Sequence, residues 1–195
     1  LDRAEIVNAL LDHADNIGLL NPNYQGQLGR GRVNIEASAK SVLNLLKNKT
    51  EKLLTVPFSG KASLVKITDQ DGKEGKQFYA YDKNFKGGAS FSAGDVNGDG
   101  RQEIITAAGP GGGPHIKIFN TQGELLGQFF AFKNNFRGGV NIAAADVNND
   151  GKDEIIAAQA SAGDSEIKIF KGSGQLLGSF YAYDSKFKGG LNLAA

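Results

Sequence analysis

The stretch that decides the fold is DVNGDGRQE, residues 95–103, because the same pattern returns as DVNNDGKDE at residues 146–154. The two segments are in register at a spacing of 51 residues, from position 95 to position 146. In each, Asp or Asn stands at three alternate positions, a glycine follows and a glutamate comes last. Oxygen-bearing side chains spaced in this way can converge on calcium, a hard cation that takes about six to eight oxygen ligands. The pattern therefore predicts a metal-binding loop that occurs twice.

In the first segment the predicted ligands are Asp95, Asn97, Asp99, the backbone carbonyl of Arg101 and Glu103. An EF-hand begins in the same way but needs helices on both sides and a glutamate at loop position 12. That position holds Thr106 in one copy and Ala157 in the other, and the flanking runs are strand-like. We therefore expect a short loop between two strands. The alternative is an Asx-rich turn without metal, although three carboxylates in one turn would repel each other.

The bulk composition excludes several classes of function. A net charge of +1 gives no electrostatic basis for binding nucleic acid or an anionic membrane. The chain has no 18-residue apolar run, so no membrane span is expected. Cysteine is absent, and calcium could take over the role of disulfides, as suits a secreted bacterial protein. Because methionine is also absent and the last repeat stops early, we expect a fragment of a longer polypeptide.

A longer repeat surrounds the two loops. Residues 116–144 and 167–195 align without gaps and are identical at 16 of 29 positions. Phe85, Phe136 and Phe187 occupy one slot, each followed by a basic residue and two glycines. Each period holds four strand-like runs, such as VNIAAADV, DEIIAAQA, EIKIF and GQFFAF. Four short antiparallel strands per unit of about 50 residues are typical of a β-propeller blade. The recurring aromatic residues in QFYAY, QFFAF and SFYAY are predicted to pack between blades, and those facing the surface could stack on sugars.

The runs GDVNGDGRQEIITAAGPGGGPHIKIF and ADVNNDGKDEIIAAQ resemble FG-GAP (VCBS) repeats, which are related to the blades of the integrin α-chain propeller. The resemblance covers about residues 60–195, and we assign residues 63–195 to these repeats. It implies a mainly β fold, a partial β-propeller, because fewer than three blades are present where a closed propeller needs several. It also implies two calcium ions. The residues implied as ligands are Asp95, Asn97, Asp99, Arg101 and Glu103 for one ion, and Asp146, Asn148, Asp150, Lys152 and Glu154 for the other.

The first 50 residues follow a different period. Ile6, Leu10 and Leu11 have helical spacing in DRAEIVNALLDHADNI, and a second helix is predicted from about Ile35 to Leu46. The segment ADNIGLLNPNYQGQLGRGRVNIEASAKSVL resembles the C-terminal end of a subtilisin-like serine protease domain, with residues 28–34 carrying the match. An unrelated helical hairpin is the alternative. Residues 51–62 are predicted to be a linker.

The two resemblances together imply a parent protein: a secreted subtilisin-like endopeptidase with a calcium-binding propeller that binds or presents a protein or a glycan. The family's catalytic residues lie upstream of such a tail, so no catalytic residue can be assigned in this chain. The rival hypothesis is a non-enzymatic adhesin or lectin-like propeller protein at the cell surface. His115 is not predicted to be a ligand, because the matching position of the next repeat is Glu166.

Overall fold

In the computed structural model, the described residues are 14–15, 32–33, 52–69, 71–184 and 186–195. The chain divides into two compact units, Leu1–Glu51 and Lys52–Ala195. In the first unit, strand β1 (Ala14–Asp15) pairs antiparallel with β2 (Arg32–Val33). The second predicted helix and the rest of the first lie outside the described residues, although Ala14–Asp15 falls within the first predicted helix. The part of the chain that the structure describes holds no helix that could cross a membrane.

The second unit consists of eleven strands in three antiparallel sheets. Sheet 1 contains β3 (Lys52–Thr55), β4 (Leu64–Asp69) and β5 (Glu74–Tyr79). Sheet 2 contains β6 (Ala89–Gly94), β7 (Glu103–Ala108), β8 (His115–Phe119) and β9 (Leu125–Phe130). Sheet 3 contains β10 (Val140–Ala145), β11 (Glu154–Gln159), β12 (Glu166–Phe170) and β13 (Leu176–Tyr181).

Each sheet is a meander in which consecutive strands are hydrogen-bonded neighbours. The four strands predicted for each period are confirmed in sheets 2 and 3. Strand β3 lies within residues 51–62, which the sequence predicted as a linker, and it pairs with β4 from Lys52 opposite Asp69 to Thr55 opposite Lys66. Its polar and apolar residues do not alternate cleanly, so this strand is defined by its partner more than by its own pattern.

The repeats match in detail as well as in strand order. A β-bulge interrupts the pairing of the last two strands at Ile118/Phe119 in sheet 2 and at Ile169/Phe170 in sheet 3, positions that are 51 residues apart. The middle strands β7 and β11 are buried almost throughout. Such strands read as continuous apolar runs, because both of their faces are covered.

Sheets 2 and 3 are joined through their first strands, and both pairs of neighbouring sheets are joined through apolar side chains. Ser90 Oγ donates to the carbonyl of Val140 at 2.7 Å, and in the same register Asn141 Nδ2 donates to the carbonyl of Leu191 at 2.7 Å. One core cluster contains buried residues of sheets 2 and 3, including Ile105, Ile116, Val140, Ile142, Ile155 and Phe170. A second cluster joins sheets 1 and 2 through Val65, Ile67, Ile104 and Phe119.

The predicted packing of recurring aromatic residues is visible at each of these two interfaces. The ring of Phe78 lies 4.8 Å from that of Phe119, and Phe129 lies 5.0 Å from Phe170. Phe180, the next residue in the register, is 52% exposed. In the two repeats that are followed by another sheet, this aromatic residue therefore packs against that sheet.

Phe129→Ala should lower the free energy of unfolding by about 2 kcal/mol, somewhat less than a fully buried Phe→Ala change, because Phe129 is only partly buried. Phe180→Ala removes the same side chain at the matching exposed position and should cost well under about 1 kcal/mol. Urea unfolding of both variants and the wild type measures the difference. Equal losses would show that the aromatic pair between sheets 2 and 3 adds nothing to stability.

Candidate functional site

The two repeated segments form loops that join the first and second strands of a sheet. Loop 1 (residues 95–103) connects β6 to β7, and loop 2 (residues 146–154) connects β10 to β11. Each loop ends on the glutamate that begins the second strand. The strands thus place both predicted ligand sets at equivalent positions in successive sheets.

The first aspartate of loop 1 organises the turn. Asp95 Oδ1 accepts the backbone N–H groups of Gly98 at 2.7 Å and Asp99 at 3.1 Å, and its Oδ2 accepts the N–H of Gly100 at 2.8 Å. Gly100 has φ +82°, a left-handed conformation that favours glycine. These bonds explain why an aspartate and a glycine stand five residues apart in the pattern.

Loop 2 repeats these contacts. Asp146 Oδ1 accepts the N–H of Asp150 at 3.1 Å, and its Oδ2 accepts the N–H of Gly151 at 2.9 Å. Asp150 Oδ1 accepts the N–H of Lys152 at 3.0 Å, as Asp99 Oδ1 accepts the N–H of Arg101 in loop 1 at 2.9 Å. The third and fourth predicted ligand positions are therefore held by the same bond in both loops.

A buried glutamate closes each loop. Glu103 is 3% exposed; its Oε2 accepts the N–H of Val96 at 3.1 Å and its Oε1 accepts from Asn97 Nδ2 at 3.0 Å. Ionised side chains are seldom fully buried unless they are paired. A buried carboxylate that accepts hydrogen bonds from two neutral amides suits a site for a cation.

Glu154 repeats this arrangement in loop 2. It is 2% exposed, its Oε2 accepts the N–H of Val147 at 3.1 Å and its Oε1 accepts from Asn148 Nδ2 at 2.7 Å. Two buried glutamates with matching partners, 51 residues apart, show that the geometry belongs to the repeat.

Burial raises the pKa of Glu103 above its ordinary value, and the negative charges of Asp99 and Asp95 raise it further. The backbone N–H groups of Val96 and Asn97 oppose that rise in pKa. Without a cation, therefore, the charged form of this carboxylate is disfavoured by its surroundings.

The donor set fits calcium in its chemistry. Every predicted ligand supplies oxygen, which hard cations prefer, and an ionised carboxylate has about four acceptor sites, so a backbone N–H bond does not exhaust it. The carboxylates are not gathered, however: among the described residues, no three Asp, Glu or His side chains form a group ready to hold a metal. In loop 1 the Asn97 amide nitrogen lies 3.3 Å from Asp99 Oδ2 and 3.0 Å from Glu103 Oε1, so an N–H donor stands between two predicted ligands.

One residue that the sequence did not single out links the loops. Asp153 Oδ2 accepts the N–H of Asp95 at 2.8 Å, and the N–H of Asp153 donates to the carbonyl of Asp95 at 2.9 Å. The matching position in loop 1 is Gln102, so the repeat pattern gave no reason to select position 153. The difference between glutamine and aspartate at these matching positions was the one sequence feature that could have drawn attention to Asp153.

A cleft of about 600 Å³ also lies outside the predicted site. Its lining includes Phe132, Arg137, Gln159, Asp164, Glu166 and Lys168. Two buried atoms in this lining, Gln159 Oε1 and Asp164 Oδ1, have no hydrogen-bond partner among the described residues.

Different residues stand at the corresponding place in the preceding repeat. Tyr81, in register with Phe132, places its hydroxyl 2.6 Å from the carbonyl oxygen of His115, and burial raises the pKa of that hydroxyl. The His115 ring packs 4.8 Å from Phe130, and burial, together with the charge of Lys117, lowers its pKa. His115 is thus a packed aromatic residue in the structure.

Comparison with known families gives a match that covers both loops. Residues 95–157 match the model of the FG-GAP-like repeat family. The matched segment contains both loops and ends in β11. No curated protein matches the chain. The subtilisin-like resemblance at residues 28–34 lies outside the matched segment and stays a prediction.

The pH dependence of stability tests the environment of Glu103. With chelator present, its raised pKa means that the folded chain binds more protons than the unfolded chain at pH values above about 4.5, so this residue's contribution to stability falls as pH rises. Lowering the pH from 7 to 5 should therefore shift the melting temperature of the wild type upward relative to Glu103→Gln. Glu124→Gln, which removes an exposed carboxylate from the turn before β9, is the control for loss of a carboxylate outside the loops. A difference between wild type and Glu103→Gln that is independent of pH would contradict the assignment.

Proposed function

We propose that residues 52–195 are calcium-binding β-propeller repeats of a secreted or cell-surface protein, and that they serve as a binding module. The observation that carries the proposal is the pair of buried glutamates, each closing an Asp- and Asn-rich loop with the same hydrogen bonds. The FG-GAP-like match across both loops supports it. So does the arrangement of four-stranded meanders joined through their first strands.

Calcium would be held by the ligand sets implied by the sequence. In loop 1 these are Asp95, Asn97, Asp99, the Arg101 carbonyl and Glu103; in loop 2 they are Asp146, Asn148, Asp150, the Lys152 carbonyl and Glu154. When bound, calcium supplies the positive charge that offsets the repulsion among the carboxylates of each loop. The hydrogen bonds that Asp95 and Asp146 accept from the backbone fix the conformation of each turn, from which the predicted ligands project.

For the parent protein we propose a secreted subtilisin-like serine endopeptidase, on the resemblance of residues 28–34. In that arrangement the repeats would bind or present a protein or a glycan, and catalysis would belong to residues other than those of this chain. The cleft favours a second candidate, an adhesin or lectin-like protein. A volume of about 600 Å³ is within the usual range for small-ligand sites, and the unpartnered acceptors Gln159 Oε1 and Asp164 Oδ1 suit hydroxyl donors such as those of a sugar.

One experiment separates these two candidates. The natural full-length protein is treated with a fluorophosphonate probe, which labels activated serines, and is also applied to a glycan array in calcium buffer. Covalent labelling supports the endopeptidase. Glycan binding without labelling, reduced by Asp164→Ala but not by the exposed-turn variant Asp71→Ala, supports the lectin-like protein. Absence of both results would overturn both parent assignments and leave the calcium proposal to its own test.

Calcium should stabilise the repeats through both loops. At a free calcium concentration about a hundred times the dissociation constant, each occupied loop adds about 2.7 kcal/mol to the free energy of unfolding. Asp99→Ala and Asp150→Ala should each remove one binding event in isothermal titration calorimetry, and the double variant should remove both. Magnesium should substitute poorly, because it needs a smaller octahedral shell.

The control for these variants is Asp71→Ala, which removes an exposed carboxylate from the β4–β5 turn and should leave both binding events intact. Thermal melts with and without chelator give the matching stabilities. A folded wild type with no calcium heat and no change of melting temperature in chelator would show that the loops are Asx turns without a metal.

A further inference from the structure

The backbone of Asp95, the first predicted ligand of loop 1, is held by a residue of loop 2. Asp153 accepts the Asp95 N–H through its Oδ2 at 2.8 Å and donates its own N–H to the Asp95 carbonyl at 2.9 Å. The two residues are 58 positions apart in the chain. Both polar groups of the Asp95 peptide backbone therefore depend on where residue 153 lies.

Loop 1 and residues 152–153 approach each other closely at two glycines. A Cβ on Gly94 would lie 2.8 Å from Asp153 Oδ2, and a Cβ on Gly98 would lie 2.7 Å from Lys152 Cε. Glycines at both places let Lys152 and Asp153 approach loop 1 closely. Loop 1 therefore packs directly against residues 152–153 in loop 2 of the next repeat.

Residues 152–154 also belong to the predicted calcium site of loop 2. The carbonyl of Lys152 and the carboxylate of Glu154 are ligands in that site, and Asp153 stands between them. A cation bound by residues 152 and 154 also restricts the backbone conformation of residue 153, which lies between them. Because Asp153 is hydrogen-bonded to the backbone of Asp95, the position of Asp95 in loop 1 is restricted as well.

We propose that Asp153 is a positioning residue that couples the two loops, so that calcium in either loop raises the affinity of the other. The coupling rests on the calcium binding proposed above. It is reciprocal, because linkage requires each site to change the other's affinity by the same factor, about 5- to 150-fold in typical cases. Asp153 binds no metal in this scheme; it fixes the backbone from which Asp95 presents its carboxylate.

The register provides a matched control. Gln102 occupies the position of Asp153 in the first repeat and is exposed. Gln102→Ala changes the residue before Glu103 as Asp153→Ala changes the residue before Glu154, but it leaves the contact with Asp95 in place. Asp153→Asn is the rescue variant, since its side-chain oxygen can still accept the Asp95 N–H while its charge is lost.

The coupling is measured with a binding cycle in calorimetry. The affinity of loop 1 alone comes from Asp150→Ala, that of loop 2 alone from Asp99→Ala, and the joint affinity from the chain with both loops intact. The product of the two joint binding constants should exceed the product of the two single-loop constants at least fivefold. In the Asp153→Ala background this ratio should fall to about one, while Gln102→Ala should leave it unchanged and Asp153→Asn should restore most of it.

A second readout does not involve calcium. In chelator, Asp153→Ala should lower the melting temperature and speed amide hydrogen exchange at loop 1, and Asp153→Asn should recover part of both. If calcium binds both loops with a ratio near one in the unsubstituted chain, the coupling is wrong and the calcium proposal stands. If no calcium heat is seen at all, the calcium proposal fails and the coupling fails with it.

Discussion

In sheets 2 and 3, a glutamate carboxylate is buried at the base of the loop between the first two strands. Glu103 and Glu154 begin the middle strands of sheets 2 and 3, and both are almost completely buried. Each accepts a backbone N–H from the start of its loop and a side-chain N–H from the loop's asparagine, so it ties the two ends of the loop together. A buried carboxylate is unfavourable unless its charge is compensated, and neutral donors compensate it only in part. The calcium ion proposed for each loop would supply the missing compensation.

The loop also sets how neighbouring sheets meet. Loop 1 follows the first strand of sheet 2, and it is this strand whose Ser90 donates to Val140 in sheet 3. Asp153 accepts the Asp95 N–H from loop 2, and the rings of Phe129 and Phe170 pack against each other between sheets 2 and 3. A change that disorders loop 1 therefore acts on a sheet boundary as well as on a ligand set. Stability and metal binding are expected to vary together in such an arrangement, because both use the same backbone.

The repeats differ in the residues that line the cleft and its counterpart in the preceding repeat. Position 81 is a tyrosine whose hydroxyl reaches the His115 carbonyl, whereas position 132, in the same slot, is a phenylalanine beside an open cleft. Glu166 replaces His115 in the same comparison. Two substitutions at matching positions thus distinguish the interface beside Tyr81 from the one beside the cleft.

The sequence by itself determined the four strands of sheets 2 and 3 and the two loops that join their first and second strands, because these follow from local patterns. Alternating apolar residues predict strands, and an Asp five residues before a glycine predicts the turn that Asp95 and Gly100 form. Apart from Ala14–Asp15 and Arg32–Val33, which form a pair of short strands, the segments predicted as helices and as a protease-like tail lie outside the described residues. Strand β3, the contact of Asp153 with Asp95, and the cleft beside Gln159 were decided only by the tertiary structure. Each depends on which distant segment is brought alongside, and a residue's own neighbours in the chain carry no record of that partner.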